Sequence, residues 1–370
     1  MTALSIVPAP VMRLPWGALT LVLALGGFGA LMLYSAAGGS MTPWAFSHSI
    51  RFGFFFCVAM VMSRIPIDWY RQATFPAYAV TLVLIVLTEI IGHTAGGAQS
   101  WLDLGFMRLQ PSELMKLAMV LSIARFYEML PAGETRKFSA IWPAGVLIMV
   151  PAGLVLIQPD LGTAVMIIAG GATLMFLAGV PLRLFVAGGL AAAVAIPLMI
   201  NYGMQEYQQK RVLIFLDPEA DPLGAGYHIT QSKIAIGSGG LFGKGFLNGT
   251  QVHLNYLPEG HTDFVFALVA EEFGLVGGVA LIVAFVALCV WGIGVAMRAK
   301  TKFERLTAAA ISATIFFYVA INLLMVMGLA PVTGIPLPLI SHGGSSMMTV
   351  MFALGILFAI DRESRKVQRW

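Results

Sequence analysis

The sequence predicts an all-α polytopic membrane protein. About ten transmembrane helices form a single domain over 1–370, with one large extracytoplasmic loop between helices 7 and 8. Three observations carry this expectation. First, hydrophobic residues make up 58% of the chain and Asp, Glu, Lys and Arg only 11%, whereas an ordinary soluble domain is roughly 25% charged. Too few charges remain to cover a soluble globule, so a soluble enzyme, a disordered chain and a fibrous repeat are excluded, and the surplus apolar surface must face lipid. Second, uncharged runs exceed the roughly 20 residues that a spanning helix needs. Third, the basic residues alternate from side to side as the positive-inside rule requires.

Taken in order, the first run supports a span near 17–38; it is long enough to cross and lacks a convincing signal-peptide cleavage site. Spans near 49–65, 73–92 and 111–130 carry charges within their bounds, among them Arg51, Glu89, Glu113 and Lys116. Spans near 139–157, 162–181 and 184–203 are separated by single charges, Asp160 and Arg183. An eighth lies near 264–294, and the stretch from Arg305 to Asp361 holds two more, 306–330 and 346–361, broken at PVTGIPLPLISHGGS. Cys57 and Cys289 both lie in apolar runs, so no disulfide framework is indicated.

With the amino terminus in the cytoplasm, the inner segments hold 15 of the 22 Lys and Arg residues, and an even number of spans places both termini inside. The pI near 9.1 therefore reflects topology and not nucleic-acid binding. The other seven basic residues are Arg51, Arg108, Lys116, Lys210, Arg211, Lys233 and Lys244. Kept against the bias, as a group they point to an anion site on the outer side; Arg51 and Glu89 are also candidates to pair with each other.

The connection over 204–263 is too apolar and glycine-rich to be disordered, and long ordered loops are usually functional. Within it YHITQSKIAIGSGG reads as a short amphipathic helix ended by glycines. A second outer segment, 93–110, is amphipathic, with Trp101 suited to the membrane interface. The string GSGGLFGKG lacks the spacing of a phosphate-binding P-loop and reads as a turn, though Lys244 and its backbone amides could touch a phosphate. His228, His253 and His261 share the outer loop without zinc-ligand spacing, and no G-x-S-x-G is present.

Charges inside spans are more informative, because each is costly in lipid unless paired. QPSELMK sets Glu113 and Lys116 three residues apart on one helical face, with Pro111 in the first turn and Ser112 as a candidate cap. QPDLG places Asp160 at the outer end of the fifth span, and Glu271 and Glu272 lie about two turns into the eighth. HTDF puts Asp263 at the start of the eighth span, where a carboxylate serves either as a base or as a helix cap. In PLPLISHGGSS the Ser341 and Ser345 hydroxyls could line a cavity. Two classes survive: an enzyme acting on a lipid-linked anion with Asp263 as base, and a transporter with a buried charged path.

The motifs GGAQSWLDLGFMRLQPSELMKLA, QPDLGTA, the stretch from KRVLIFLDPEADPLGAGYHITQSK to FLNGTQ, LPEGHTDFVFALVAEEFG and GIPLPLISHGGSS resemble the SEDS (shape, elongation, division and sporulation) family over nearly the whole chain, and its elongation branch more than its division branch. Ser100 and His342 stand where that family more usually has other residues. The resemblance implies a ten-helix glycosyltransferase that polymerises lipid II into β-1,4 glycan at the outer face of the bacterial cytoplasmic membrane, the alternative being a lipid II flippase. It also implies a class B penicillin-binding protein and other elongation-complex membrane proteins as partners. By motif, the essential outer-loop carboxylate falls on Asp263, the buried pair on Glu113 and Lys116, and the QPD aspartate on Asp160. Arg211, Lys233 and Lys244 are then candidates to hold pyrophosphate, shared with a divalent cation (Mg or Mn) for which the sequence shows no dedicated cage.

Overall fold

The computed structural model describes residues 14–202 and 225–367, apart from 96–97, 104, 106–107, 132, 255 and 258, together with residue 209. In chain order the helices are α1 (Trp16–Ala36), α2 (Trp44–Met62), α3 (Ile67–Ile91), α4 (Pro111–Met129), α5 (Phe138–Ile157), α6 (Leu161–Ala178), α7 (Leu182–Tyr202), α8 (Ala225–Ser238), α9 (Thr250–His253), α10 (Val265–Arg298), α11 (Lys302–Val326) and α12 (Gly344–Val367). A long helix thus stands at each of the ten places marked by the apolar runs. Among the described residues eight of these helices are long and apolar enough to cross a membrane; α7 contributes the shorter apolar run Leu182–Ala195, and α4 is the exception.

The exception at α4 has a physical cause. Its sequence, PSELMKLAMVLSIARFYEM, is too polar for lipid, and it does not meet lipid: most of its residues are buried. It packs against α3, α5, α6, α11 and α12 and forms the centre of the bundle. By contrast α3, near the periphery, exposes Val80, Val83, Ile90 and Ile91, the apolar surface a helix shows to lipid.

The chain departs from all-α at 93–110. Three short strands, β1 (His93–Ala95), β2 (Ala98–Asp103) and β3 (Arg108–Leu109), form an antiparallel sheet in the order β1-β2-β3. The alternation explains it: Ser100 and Leu102 are buried while Asp103 is exposed, a period of two that suits a strand. The sheet leads directly into the first turn of α4. The segment YHITQSKIAIGSGG forms α8, which the glycines at 239–240 end as expected.

At 34 residues α10 is longer than a bilayer needs, and it breaks at Gly274 (φ 63°, ψ −161°). The glycine string 237–245 seals the break. Lys244 N and Gly245 N donate to Glu271 O and Glu272 O, each at 2.9 Å, and Leu275 N and Val276 N donate back to Gly240 O and Leu241 O at 2.9 and 3.1 Å. The approach is backbone to backbone: a Cβ on Gly243 (φ 82°) would lie 2.0 Å from Glu272 O. Only glycine fits at that position, which gives the glycine-rich string a structural reason of its own.

Candidate functional site

The interior of the bundle holds a polar cluster built from α4, α6 and α11. Lys116 Nζ lies 2.7 Å from Glu113 Oε1, with side chains 2% and 6% exposed. The other Glu113 oxygen accepts from Tyr318 Oη on α11, and the Lys116 ammonium sits 4.3 Å from the centre of the Tyr318 ring. The Glu113 and Lys116 charges thus compensate each other, as buried charges must. Ser112 does not cap α4; its hydroxyl is buried without a hydrogen-bond partner among the described residues. Asp160 caps α6 instead, accepting from Thr163 N at 3.0 Å through one oxygen and from Gln110 Nε2 at 2.8 Å through the other. Burial raises its pKa, opposed by the Thr163 hydrogen bonds and by Lys116.

Asp263 occupies a different kind of position. The residue before α10 is Phe264, and no side chain caps the helix, so Asp263 is not a cap. Its carboxylate has no hydrogen-bond partner among the described residues. Burial, reinforced by the Glu259 charge, pushes its pKa up to about 7. Its backbone is fixed by Asn322 on α11, whose Nδ2 donates to Asp263 O and to Ile335 O, each at 2.8 Å. Gly334 (φ 68°) lies alongside, where a Cβ would be 3.5 Å from Asp263 Oδ2. Asn322 follows Tyr318 by four residues, so one face of α11 serves both the buried pair and Asp263. The sequence-based expectations missed Tyr318 and Asn322; the signal was two polar side chains at helical spacing in an apolar span.

The other candidates separate. Lys244 bonds to Glu271 Oε1 at 2.6 Å and to Thr250 Oγ1 at 2.9 Å. Glu271, wholly buried, also accepts from Thr250 N at 2.9 Å and Gln251 N at 3.2 Å. The neighbouring Glu272 accepts from Ser35 Oγ on α1. Lys233 is exposed on α8 and lies over Gly328, just past the end of α11, where helix carbonyls favour a cation. Arg211 falls outside the described residues. Ser341 Oγ accepts from Leu337 N at 2.9 Å, and Ser345 Oγ bridges Gln110 N (3.0 Å) and Arg108 O (2.9 Å). Both hydroxyls are buried and hold the loop before α12 in place.

Arg51 does not meet Glu89, which is exposed on α3; its Nη1 lies 3.4 Å from His342 Nε2. The histidines at 228, 253 and 261 do not converge. His253 Nε2 bonds to Ser35 O at 2.7 Å, His228 lies beside Phe264, and His261 stacks on Trp44. Among the described residues no three His, Cys, Asp or Glu side chains are grouped to hold a metal ion.

Apolar helices around a buried polar cluster, with a half-buried carboxylate at the start of one helix, define a multi-pass membrane protein with a polar interior. The chain belongs to the FtsW/RodA/SpoVE family of cell cycle proteins, whose profile matches residues 16–366. It is 42% identical over 352 residues to the peptidoglycan glycosyltransferase MrdB of Escherichia coli K12, covering 95% of this chain and 94% of that protein. It is 31% identical to the peptidoglycan glycosyltransferase RodA of Treponema pallidum, covering 92% and 95%. Its fold matches a chain of a peptidoglycan synthase complex that coordinates polymerization and crosslinking, with a TM-score of 0.82 and 30% identity over 95% of this chain and 98% of that one. Rod shape determining protein RodA of Thermus thermophilus matches with a TM-score of 0.72 and 28% identity, over 95% and 97%.

Proposed function

We propose that this chain is a peptidoglycan glycosyltransferase of the elongation type, polymerising lipid II at the outer face of the cytoplasmic membrane with both termini in the cytoplasm. The observation that carries the mechanism is Asp263: a carboxylate with no hydrogen-bond partner among the described residues and a pKa near 7, the value that suits a general base at neutral pH. The acceptor sugar 4-hydroxyl gives its proton to Asp263 as its oxygen bonds to the anomeric carbon of the growing strand. The bond from that carbon to the diphosphate breaks, and undecaprenyl diphosphate leaves with the electron pair. Attack opposite the leaving group turns an α-linked diphosphate into a β-1,4 glycosidic bond.

Glu113, Lys116 and Tyr318 organise the centre from below, and Asn322 ties it to Asp263. Lys233 and Arg211 are loop candidates for the departing diphosphate, with Lys244 set against Glu271. A divalent cation, Mg or Mn, would be held chiefly by the diphosphate itself, since the described residues provide no cage. The partner is a class B penicillin-binding protein that supplies crosslinking, joined by other elongation-complex membrane proteins; similarity to a chain of a synthase complex supports this.

The test is polymerisation of purified lipid II in detergent, by the chain alone and with its transpeptidase partner. Glycan from parent protein, absent with Asp263→Ala, is the expected result. Lipid II crossing liposome membranes without any glycan, with the partner supplied, would establish the flippase alternative instead.

A further inference from the structure

Arg51 lies on α2, one turn beyond Ser47 and His48. Its Nη1 is 3.4 Å from His342 Nε2, and Ser47 Oγ is 3.0 Å from the same nitrogen. A guanidinium only donates, so Nε2 accepts and the His342 ring is neutral. Burial, followed by the Arg51 charge and by His261 and His48, holds the His342 pKa down at about 4. The charge of the cluster therefore resides on Arg51, and no carboxylate pairs with it among the described residues. His48, buried beside it against the Gly26 and Ser341 backbones, is held neutral in the same way, by burial and then by the Arg51 charge.

A second positive feature converges on the same place. Arg51 Nη1 would lie 3.8 Å from a Cβ on Gly344, the first residue of α12. The first N–H groups of a helix lack intrahelical partners and carry partial positive charge. Ser47, Arg51, His342, Gly343 and Gly344 are all partly open, while Phe46, Ile50 and Phe54 on the adjoining face of α2 are exposed. The cation thus borders lipid-facing surface. His342 N also bonds to His261 O at 3.0 Å, two residues from Asp263.

We propose that Arg51, His342, Ser47 and the amino end of α12 bind the diphosphate headgroup of a polyprenyl-linked sugar entering from the membrane. The proposal rests on the glycosyltransferase reading, because glycan polymerisation brings together two polyprenyl diphosphates, one leaving and one retained on the acceptor. Two anionic headgroups need two cationic sites. The outer loop supplies Lys233 for one, and the α2–α12 junction supplies the other.

The experiment is equilibrium binding of undecaprenyl diphosphate to the purified full chain in phosphatidylcholine nanodiscs, with undecaprenol and phosphatidylglycerol as further probes. Arg51→Gln should weaken diphosphate binding about tenfold, the worth of one charge-assisted hydrogen bond. Arg51→Lys should fall between, undecaprenol binding should not change, and the apparent KM for lipid II should rise by a similar factor with kcat largely kept. Parent-like diphosphate affinity in Arg51→Gln overturns the site. So does an equal loss for undecaprenol, which marks a general fold defect, or equally strong competition by phosphatidylglycerol, which marks an unspecific lipid phosphate contact. The binding arm needs no turnover. Loss of diphosphate binding in a chain whose parent makes no glycan leaves the site standing and removes the glycosyltransferase reading; parent-like binding in an active chain does the reverse.

Discussion

Asn322 Nδ2 donates to the carbonyl oxygens of Asp263 and Ile335, each at 2.8 Å, from a side chain with no exposure to solvent. One amide therefore clamps the start of α10 to the loop after α11. Asn322→Leu leaves two carbonyls without their donor, a cost of about 1–3 kcal/mol. With the clamp gone, Asp263, half-buried in the parent, becomes more open to water. Expected are a fall in kcat of at least about tenfold, unchanged diphosphate affinity, and an acid limb of the pH–rate profile moved to lower pH. A structural defect alone would lower active protein without moving that limb.

The pH dependence itself follows from Asp263. A general base must be ionised, so kcat should rise with pH and level off above about 7. Glu259→Gln removes the second cause of the raised pKa and should shift the rise to lower pH. Stability runs the other way. The folded pKa is raised from 3.8 to about 7, so the native state binds the proton more tightly than the unfolded chain. That contribution is fully present below pH 3.8 and is lost as pH rises through about 7. Asp263→Asn should therefore melt higher than the parent at pH 8 and gain nothing at pH 4, measured by thermal unfolding in detergent.

These residues differ in how far the sequence alone could place them. Glu113 and Lys116 are three apart on one helix, so their pairing is a local matter and was legible. The long helices were legible because lipid demands long apolar runs. Asp263 was legible as a motif, but its separation from the cap role needed the observed helix start at Val265. The small sheet at 93–110 was hidden because period-two alternation over so few residues also fits an amphipathic stretch. The break at Gly274 was invisible, since glycine is frequent in membrane helices and nothing local marks the loop that will seal it. Arg51 with His342 and Ser35 with Glu272 join residues more than two hundred positions apart; only packing of α1, α2, α10 and the loop before α12 brings them together.

The buried pair should behave as a unit of three. Lys116→Met leaves Glu113 buried without its counter-charge, and Glu113→Gln leaves Lys116 likewise, each costing roughly 3–5 kcal/mol. The double variant should cost less than the sum of the two. Tyr318→Phe removes the donor to the second Glu113 oxygen while keeping the ring beneath Lys116, so it should destabilise less than either charge deletion. Thermal unfolding of the four variants checks this. Strict additivity of the Glu113 and Lys116 losses would count against the contact.

Lys244 is where the connection between α7 and α10 poses its clearest choice. The sequence offers this cation for phosphate, whereas the structure sets it against Glu271 at 2.6 Å, with side chains 28% and 0% exposed. The two roles differ in symmetry. If the pair is a clamp, Lys244→Met strands a fully buried carboxylate that still bonds to Thr250 and Gln251, costing roughly 3 kcal/mol. Glu271→Gln costs less, because the lysine is open enough to take water and the new amide can still accept hydrogen bonds. The double variant Lys244→Met with Glu271→Gln removes both charges and should recover most of the melting temperature lost by Lys244→Met. A phosphate contact follows a different rule: affinity for undecaprenyl diphosphate drops whenever the lysine is absent, whatever stands at Glu271. The geometry predicts the clamp. The double variant should bind undecaprenyl diphosphate like the parent, and its sealed helix break should melt near the parent temperature. Affinity that stays low in the double variant, with stability restored, would return Lys244 to the phosphate site.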